Sequence, residues 1–110
     1  MTVQVSSDNS VARRLQTLAR LYQQGQASEV MDRTLDKLLS YEREQSRAQL
    51  GELLADLAEC EQRYQMPSVD FYRRFRAGET DDRMDYVEWA SLIQMADNLR
   101  ERLRVLAGEG

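Results

Sequence analysis

The chain has 110 residues, of which 42% are hydrophobic and 31% charged, with a formal net charge of −4. This length suits one small domain or a domain with an arm, and the short apolar runs exclude a transmembrane helix. A single cysteine, Cys60, excludes an internal disulfide, and the absence of histidine argues against zinc sites and removes the commonest general base. We therefore expect a cytoplasmic protein with no secretory signal, cofactor, metal or enzymatic activity.

The chain opens with a period-two pattern over residues 2–6 (TVQVS), which predicts a short strand with Val3 and Val5 on one face. The opposite face carries Thr2, Gln4 and Ser6. A lone strand needs backbone partners, so we predict that it pairs antiparallel with its own copy in a two-fold homodimer. The alternative is that residues 1–7 form a disordered arm.

Helical periodicity follows the strand. Apolar side chains at helical spacing predict a first helix over 11–24, and Gly25 ends it in the left-handed conformation. A second helix begins near residues 27–29 and continues to about residue 40. Residues 42–49 carry almost no apolar side chains but contain no helix breaker, which predicts an exposed helical connection to a third helix over 50–64.

Pro67 ends the third helix, and Ser68 is positioned to cap a short fourth helix that Ala77 and Gly78 close. After a charged loop, Asp85 and Glu88 form a D-x-x-E capping box for a last helix that ends at residue 108. The predicted fold class is therefore mainly α, with one N-terminal strand and about five helices. We predict two parts, residues 1–45 and residues 46–110.

The first part, from its alternating strand to the Ser-Glu-Val opening of the second helix at Ser28, resembles a ribbon-helix-helix DNA-binding domain of the Arc and MetJ family. The resemblance implies a homodimer through residues 2–6 and the helices over 11–40, and operator DNA as a partner. Base contacts would then come from Thr2, Gln4 and Ser6. Backbone N–H groups at Ala27, Ser28 and Glu29 would hold a phosphate. Further phosphate contacts would come from Arg13, Arg14, Arg20 and Lys37.

The second part is acidic and aromatic: residues 50–110 carry thirteen acidic and eight basic side chains, and six of the eight aromatic residues lie between 64 and 89. The order Y-x-M-x-S, F-Y-x-x-F, G-E and D-x-x-E-W within residues 64–89 resembles the toxin-binding tails of prokaryotic antitoxins. The partner-binding side chains are then Phe71, Tyr72, Phe75, Tyr86 and Trp89, with Asp82 and Asp85. The alternative is that the aromatic residues form a small core against the helix over 50–64.

Together the two resemblances predict an antitoxin that neutralises a cognate basic toxin by direct binding and autoregulates its operon by binding DNA. An acidic segment would be steered onto such a toxin and compete with its nucleic-acid substrate. Two alternatives remain open: a helical homodimeric interaction or adaptor protein that binds no DNA, and a stand-alone ribbon-helix-helix repressor. Neither membrane binding nor catalysis is expected of any of them, because the last helix mixes charges on its polar face and no carboxylate pair indicates a cleft.

Overall fold

The computed structural model describes residues 9–108, and most of them are helical. The four helices are α1 (Asn9–Gln23), α2 (Glu29–Tyr64), α3 (Ser68–Arg76) and α4 (Met84–Leu106). The chain divides into two compact units, and the boundary falls between residues 38 and 39, within α2. We call residues 9–38 the N-terminal unit and residues 39–108 the C-terminal unit. The boundary predicted at residue 45 also lies inside this helix.

The predicted fold class, with a β-strand at the N-terminus, is wrong. The described residues contain helices and no strand or sheet, so the fold is all-α rather than ribbon-helix-helix. The physical reason is that a strand needs a second backbone segment to satisfy its N–H and C=O groups, whereas each helix satisfies its own. Residues 2–6, with the predicted base contacts of Thr2, Gln4 and Ser6, lie outside the described residues.

The second and third predicted helices form one helix of 36 residues, α2. Its middle segment, residues 42–49, is polar but contains neither proline nor glycine, so nothing interrupts the backbone hydrogen bonds there. Gly51 is the weakest position, and a glycine inside a helix costs only about 1 kcal/mol relative to alanine. The polar connection is therefore helical, and residues 9–108 form four helices rather than the five predicted.

The predicted end of α1 at Gly25 is confirmed. Gly25 has φ +68°, and the N–H of Gln26 donates to the carbonyl of Leu21 over 2.8 Å. The same arrangement ends α3, where Gly78 has φ +73° and the N–H of Glu79 donates to the carbonyl of Arg74 over 2.9 Å. Only glycine adopts this left-handed conformation without strain, so both turns follow directly from the sequence.

Two predicted helix caps are wrong. The residues that precede α3 and α4 are Pro67 and Arg83, both extended, and neither makes a side-chain capping hydrogen bond. Ser68 and Asp85 instead lie in the first turn of each helix. There Ser68 Oγ accepts a hydrogen bond from Trp89, and Asp85 accepts one from Tyr64. Both polar side chains thus connect helices to one another rather than capping their own.

The hydrophobic core lies entirely in the C-terminal unit. It contains Leu53 and Leu57 from α2, Phe71 from α3, and Trp89, Ala90, Ile93 and Ala96 from α4. Polar contacts also join α2 to α4 near the end of α4: Arg43 donates to the carbonyl of Leu106 over 3.0 Å, and Arg102 donates to Oγ of buried Ser46 over 3.1 Å. The C-terminal unit is therefore a small three-helix domain with its own core.

Candidate functional site

The centre of the aromatic cluster is a stacked pair of rings. The ring centroids of Phe71 and Trp89 are 3.9 Å apart, and their planes differ by 3°. Trp89 is 1% exposed and Phe71 2%, and the indole N–H donates to Ser68 Oγ over 3.0 Å. These two side chains, predicted from the sequence to touch a partner, hold α3 against α4. Both are buried in the core, and their predicted role in partner binding stays a prediction.

Two tyrosines flank that pair. The rings of Tyr64 and Tyr86 meet edge to face with centroids 5.2 Å apart, and both side chains are half-buried. The Tyr64 hydroxyl donates to Asp85 Oδ2 over 2.6 Å, which raises the pKa of Tyr64 because the bond is lost when the phenol ionises. Tyr86 and Asp85, both predicted partner contacts, thus lie together at the start of α4 and retain some exposure.

Tyr72 and Phe75, on α3, are the remaining predicted aromatic contacts, and both are half-buried. The ring centroid of Phe75 is 5.6 Å from that of Phe71. The Tyr72 hydroxyl accepts a hydrogen bond from Gln94 over 3.0 Å, and this bond, together with the Arg76 guanidinium near the ring, lowers the pKa of Tyr72. Part of each ring faces solvent, so both residues remain accessible to a partner.

The loop before α4 is organised by one ion pair. The Arg83 guanidinium donates to both carboxylate oxygens of Asp81, over 2.8 and 2.9 Å, and holds the pKa of Asp81 at about 2. The guanidinium carbon of Arg83 also lies 4.6 Å from the centroid of the Tyr86 ring. Asp82, the predicted acidic contact in this loop, is exposed and makes no ion pair within residues 9–108.

A groove between α2 and α4, with a volume of about 440 Å³, was not predicted from the sequence. Its apolar lining includes Leu53, Met95 and Leu99, and its α2 edge carries the carboxylates of Glu52 and Asp56. The sequence signal that could have indicated its acidic edge is the spacing of four residues between Glu52 and Asp56, because this spacing puts both on one helix face. We name this feature the α2–α4 groove.

Carboxylates of α2 and α4 act on the thiol of Cys60. Burial raises the pKa of the half-buried Cys60 thiol, and Arg63 lowers it. The carboxylates of Asp56, Glu59 and Asp85 raise the pKa further. These carboxylates of α2 and α4 therefore lie near enough to Cys60 to act on its thiol.

The N-terminal unit holds the predicted phosphate-contacting residues Ala27, Ser28 and Glu29 at the start of α2. Ser28 Oγ accepts a hydrogen bond from the N–H of Met31 over 3.2 Å, so the chain itself satisfies one of the N–H groups there. Glu29, in the first turn, pairs with Arg33 over 2.6 Å. Ala27 is half-buried, whereas Ser28 and Glu29 are exposed.

None of residues 9–38 is buried, although α1 is strongly amphipathic. Leu15, on its apolar side, is 59% exposed. On the polar side Arg13, Thr17 and Arg20 line a shallow hollow with Gln16. Val30 and Leu38 of α2 are also exposed, at 70% and 53%, so this two-helix unit does not form a complete hydrophobic layer by itself.

Residues 9–108 include no group of three or more side chains suited to hold a metal ion, and no helix among them is long and apolar enough to cross a membrane. Comparisons with protein-family models, with curated proteins and with solved structures found no match to this chain. The function is therefore inferred from the geometry of the two units.

Proposed function

We propose that this chain is a protein-binding inhibitor of the antitoxin type, whose C-terminal unit binds a basic toxin protein and blocks the toxin's nucleic-acid substrate. The observation that carries the proposal is a set of exposed carboxylates, unpaired within residues 9–108, on a unit that already has a closed core. These carboxylates include Glu52, Asp56, Glu59 and Asp82. The inhibition is stoichiometric and needs no catalytic step.

Electrostatics favours a basic partner over a neutral one. Carboxylates that make no internal ion pair keep their full attraction for a cationic surface, and this raises the association rate and the selectivity for that surface. Arginine pairs neutralise other acidic residues of the same unit, such as Asp81 beside Arg83 and Glu42 beside Arg102. A basic partner therefore gains the most binding free energy where it meets the free carboxylates.

The N-terminal unit supplies the second element of the proposal, a two-fold homodimer. A two-fold axis would place α1 of each copy beside α2 of the other. The same contact would cover the apolar side of α1, including Leu15.

Operator binding is a second candidate activity of the N-terminal unit, and one observation favours it. Arg13, Thr17 and Arg20 follow one exposed face of α1, with spacing that suits contacts to successive phosphates. A dimer would present two such faces. This candidate uses the arginines of α1 and makes no use of a paired ribbon.

The main proposal predicts that a small basic protein is encoded in an adjacent reading frame, and co-expression with that protein tests it. The chain is expected to restore growth arrested by that protein and to co-purify with it in a complex whose affinity falls steeply with salt. A complex insensitive to salt, or growth arrest that persists despite soluble antitoxin, would contradict the proposal.

Fluorescence anisotropy with the upstream DNA and a scrambled duplex tests operator binding. The double substitution Arg13→Gln/Arg20→Gln is expected to weaken binding to the upstream duplex at least tenfold and to reduce its salt dependence. The matched control, Arg47→Gln/Arg63→Gln, removes two exposed arginines of α2 and should leave binding unchanged. Equal, weak binding to both duplexes would favour the interaction protein that binds no DNA.

A further inference from the structure

We propose that the α2–α4 groove is the docking site for a basic amphipathic helix of the partner protein. The apolar side of that helix would cover Met95 and Leu99, and its lysine or arginine side chains would face Glu52 and Asp56. This inference rests on the proposed function, because it names the surface and the partner chemistry through which the C-terminal unit would act. It also assigns a role to residues outside the aromatic motifs.

The shape of the groove suits a helix. It runs between two helices of the same unit and offers a volume of about 440 Å³. Met95 is 51% exposed although it lies beside buried Ala96 and half-buried Leu99. A flexible thioether in such a position adapts to the shape of an incoming apolar side chain.

Charge determines which helix fits. Both ionisable groups of the lining, Glu52 and Asp56, are carboxylates, and the groove carries no basic side chain. Neither carboxylate forms an ion pair or hydrogen bond with another side chain of residues 9–108, so each can accept from a partner without giving up an internal contact. Glu59 continues the same row on α2 by one more turn. An acidic helix would meet like charges here, whereas a basic one would meet opposite charges along its whole length.

A second groove, lined by Leu54, Val69 and Tyr72, is a weaker candidate. Its acidic side chains have partners within the chain: Glu61 accepts from the backbone N–H of Ser68 over 2.8 Å, and Asp97 pairs with Arg100 over 3.2 Å. A cationic partner would therefore gain less binding free energy in this second groove than in the α2–α4 groove. Val69, 72% exposed at the edge of this groove, provides a matched control for substitutions in the first groove.

The test uses the full chain and two fluorescent 18-residue peptides made of lysine and leucine. One peptide places its leucines on one face of a helix, and the other has the same composition in scrambled order. Anisotropy is expected to show that the amphipathic peptide binds at least tenfold more tightly than the scrambled one. Met95→Glu and the double variant Glu52→Lys/Asp56→Lys should each weaken that binding at least tenfold.

Two control variants add the same charges elsewhere: Val69→Glu in the second groove, and Glu44→Lys/Glu79→Lys at exposed positions outside both grooves. These controls should bind the amphipathic peptide within about twofold of the parent chain. Equal losses in groove and control variants, or equal binding of both peptides, would overturn the proposal, since charge alone would then explain the affinity. A parent dimer that Met95→Glu converts to monomer would also overturn it, because a second copy would be the occupant.

The same variants separate this inference from the proposed function. In the growth-rescue assay, the groove variants are expected to lose rescue while the control variants keep it. If all variants rescue growth, the antitoxin function stands and the groove is not its site. If even the parent chain fails to rescue or to bind the adjacent basic protein, while the groove still selects the amphipathic peptide, the antitoxin function fails and the groove stands as a site for a different basic helix.

Discussion

The indole of Trp89 and the phenyl ring of Phe71 lie parallel, with their centroids 3.9 Å apart. This pair joins α4 to α3, and Leu53 and Leu57 of α2 belong to the same buried cluster. The aromatic residues that most strongly indicated a binding surface are thus what closes the core of the C-terminal unit. The core leaves outside it the half-buried edge of the aromatic cluster and the carboxylates of α2 that line the α2–α4 groove.

Removing the larger ring of this pair should destabilise the C-terminal unit severely. We expect Trp89→Ala to lower the free energy of unfolding by about 3–5 kcal/mol, because it leaves a cavity between α3 and α4. Val105→Ala, at an exposed position of the same helix, should change it by less than about 0.5 kcal/mol. Urea unfolding followed by circular dichroism at 222 nm measures both, since Trp89 is the only tryptophan and its loss removes the fluorescence signal. Similar unfolding midpoints for the two variants would contradict a core role.

The hydrogen bond from the Trp89 indole N–H to Ser68 Oγ should contribute to the stability of the unit separately from the stacked rings. Ser68→Ala removes the acceptor of the Trp89 N–H and leaves that donor buried without a partner, so we expect a loss of about 1–3 kcal/mol. Ser91→Ala, at an exposed site on α4, is the matched control and should have no measurable effect. The same urea titration reports both. A Ser68→Ala variant as stable as the parent would mean that water or another group replaces the hydroxyl.

The sequence predicted the helices better than the contacts between them. Periodicity located all four helices, and Gly25 and Gly78 predicted two helix ends, because these signals depend on local backbone geometry alone. The roles of Ser68 and Asp85 were wrong, since a side chain suited to cap its own helix is equally suited to bond with a neighbouring one. The α2–α4 groove escaped prediction for a related reason: its two edges are some forty residues apart in the chain, and only packing brings them together.

The titration of Asp81 tests the geometry of the loop before α4. Because Arg83 stabilises the charged form, the Asp81 carboxyl should titrate at about 2 rather than near its ordinary pKa of 3.8. The stabilisation from this pair is complete above about pH 4 and is lost as the pH falls through about 2. Carboxyl chemical shifts in NMR measure the pKa directly. Arg83→Gln should return it toward 3.8, whereas Arg104→Gln, at the far end of α4, should not; a midpoint near 3.8 in the parent chain would refute the ion pair.

The exposure of Leu15 on the apolar side of α1 leads to a prediction about assembly. If a two-fold dimer buries Leu15 of both copies, Leu15→Glu removes two apolar contacts of about 1.5–3 kcal/mol each and raises the dimer dissociation constant at least a hundredfold. Thr17→Glu adds the same charge on the polar side of the same helix and should leave the dimer intact. Sedimentation equilibrium measures the dissociation constant, and the unfolding of the C-terminal unit should be unchanged in both variants, because every buried hydrophobic side chain described in residues 9–108 lies in that unit. A monomeric parent chain, or equal weakening by the two substitutions, would show that something other than a second copy covers α1.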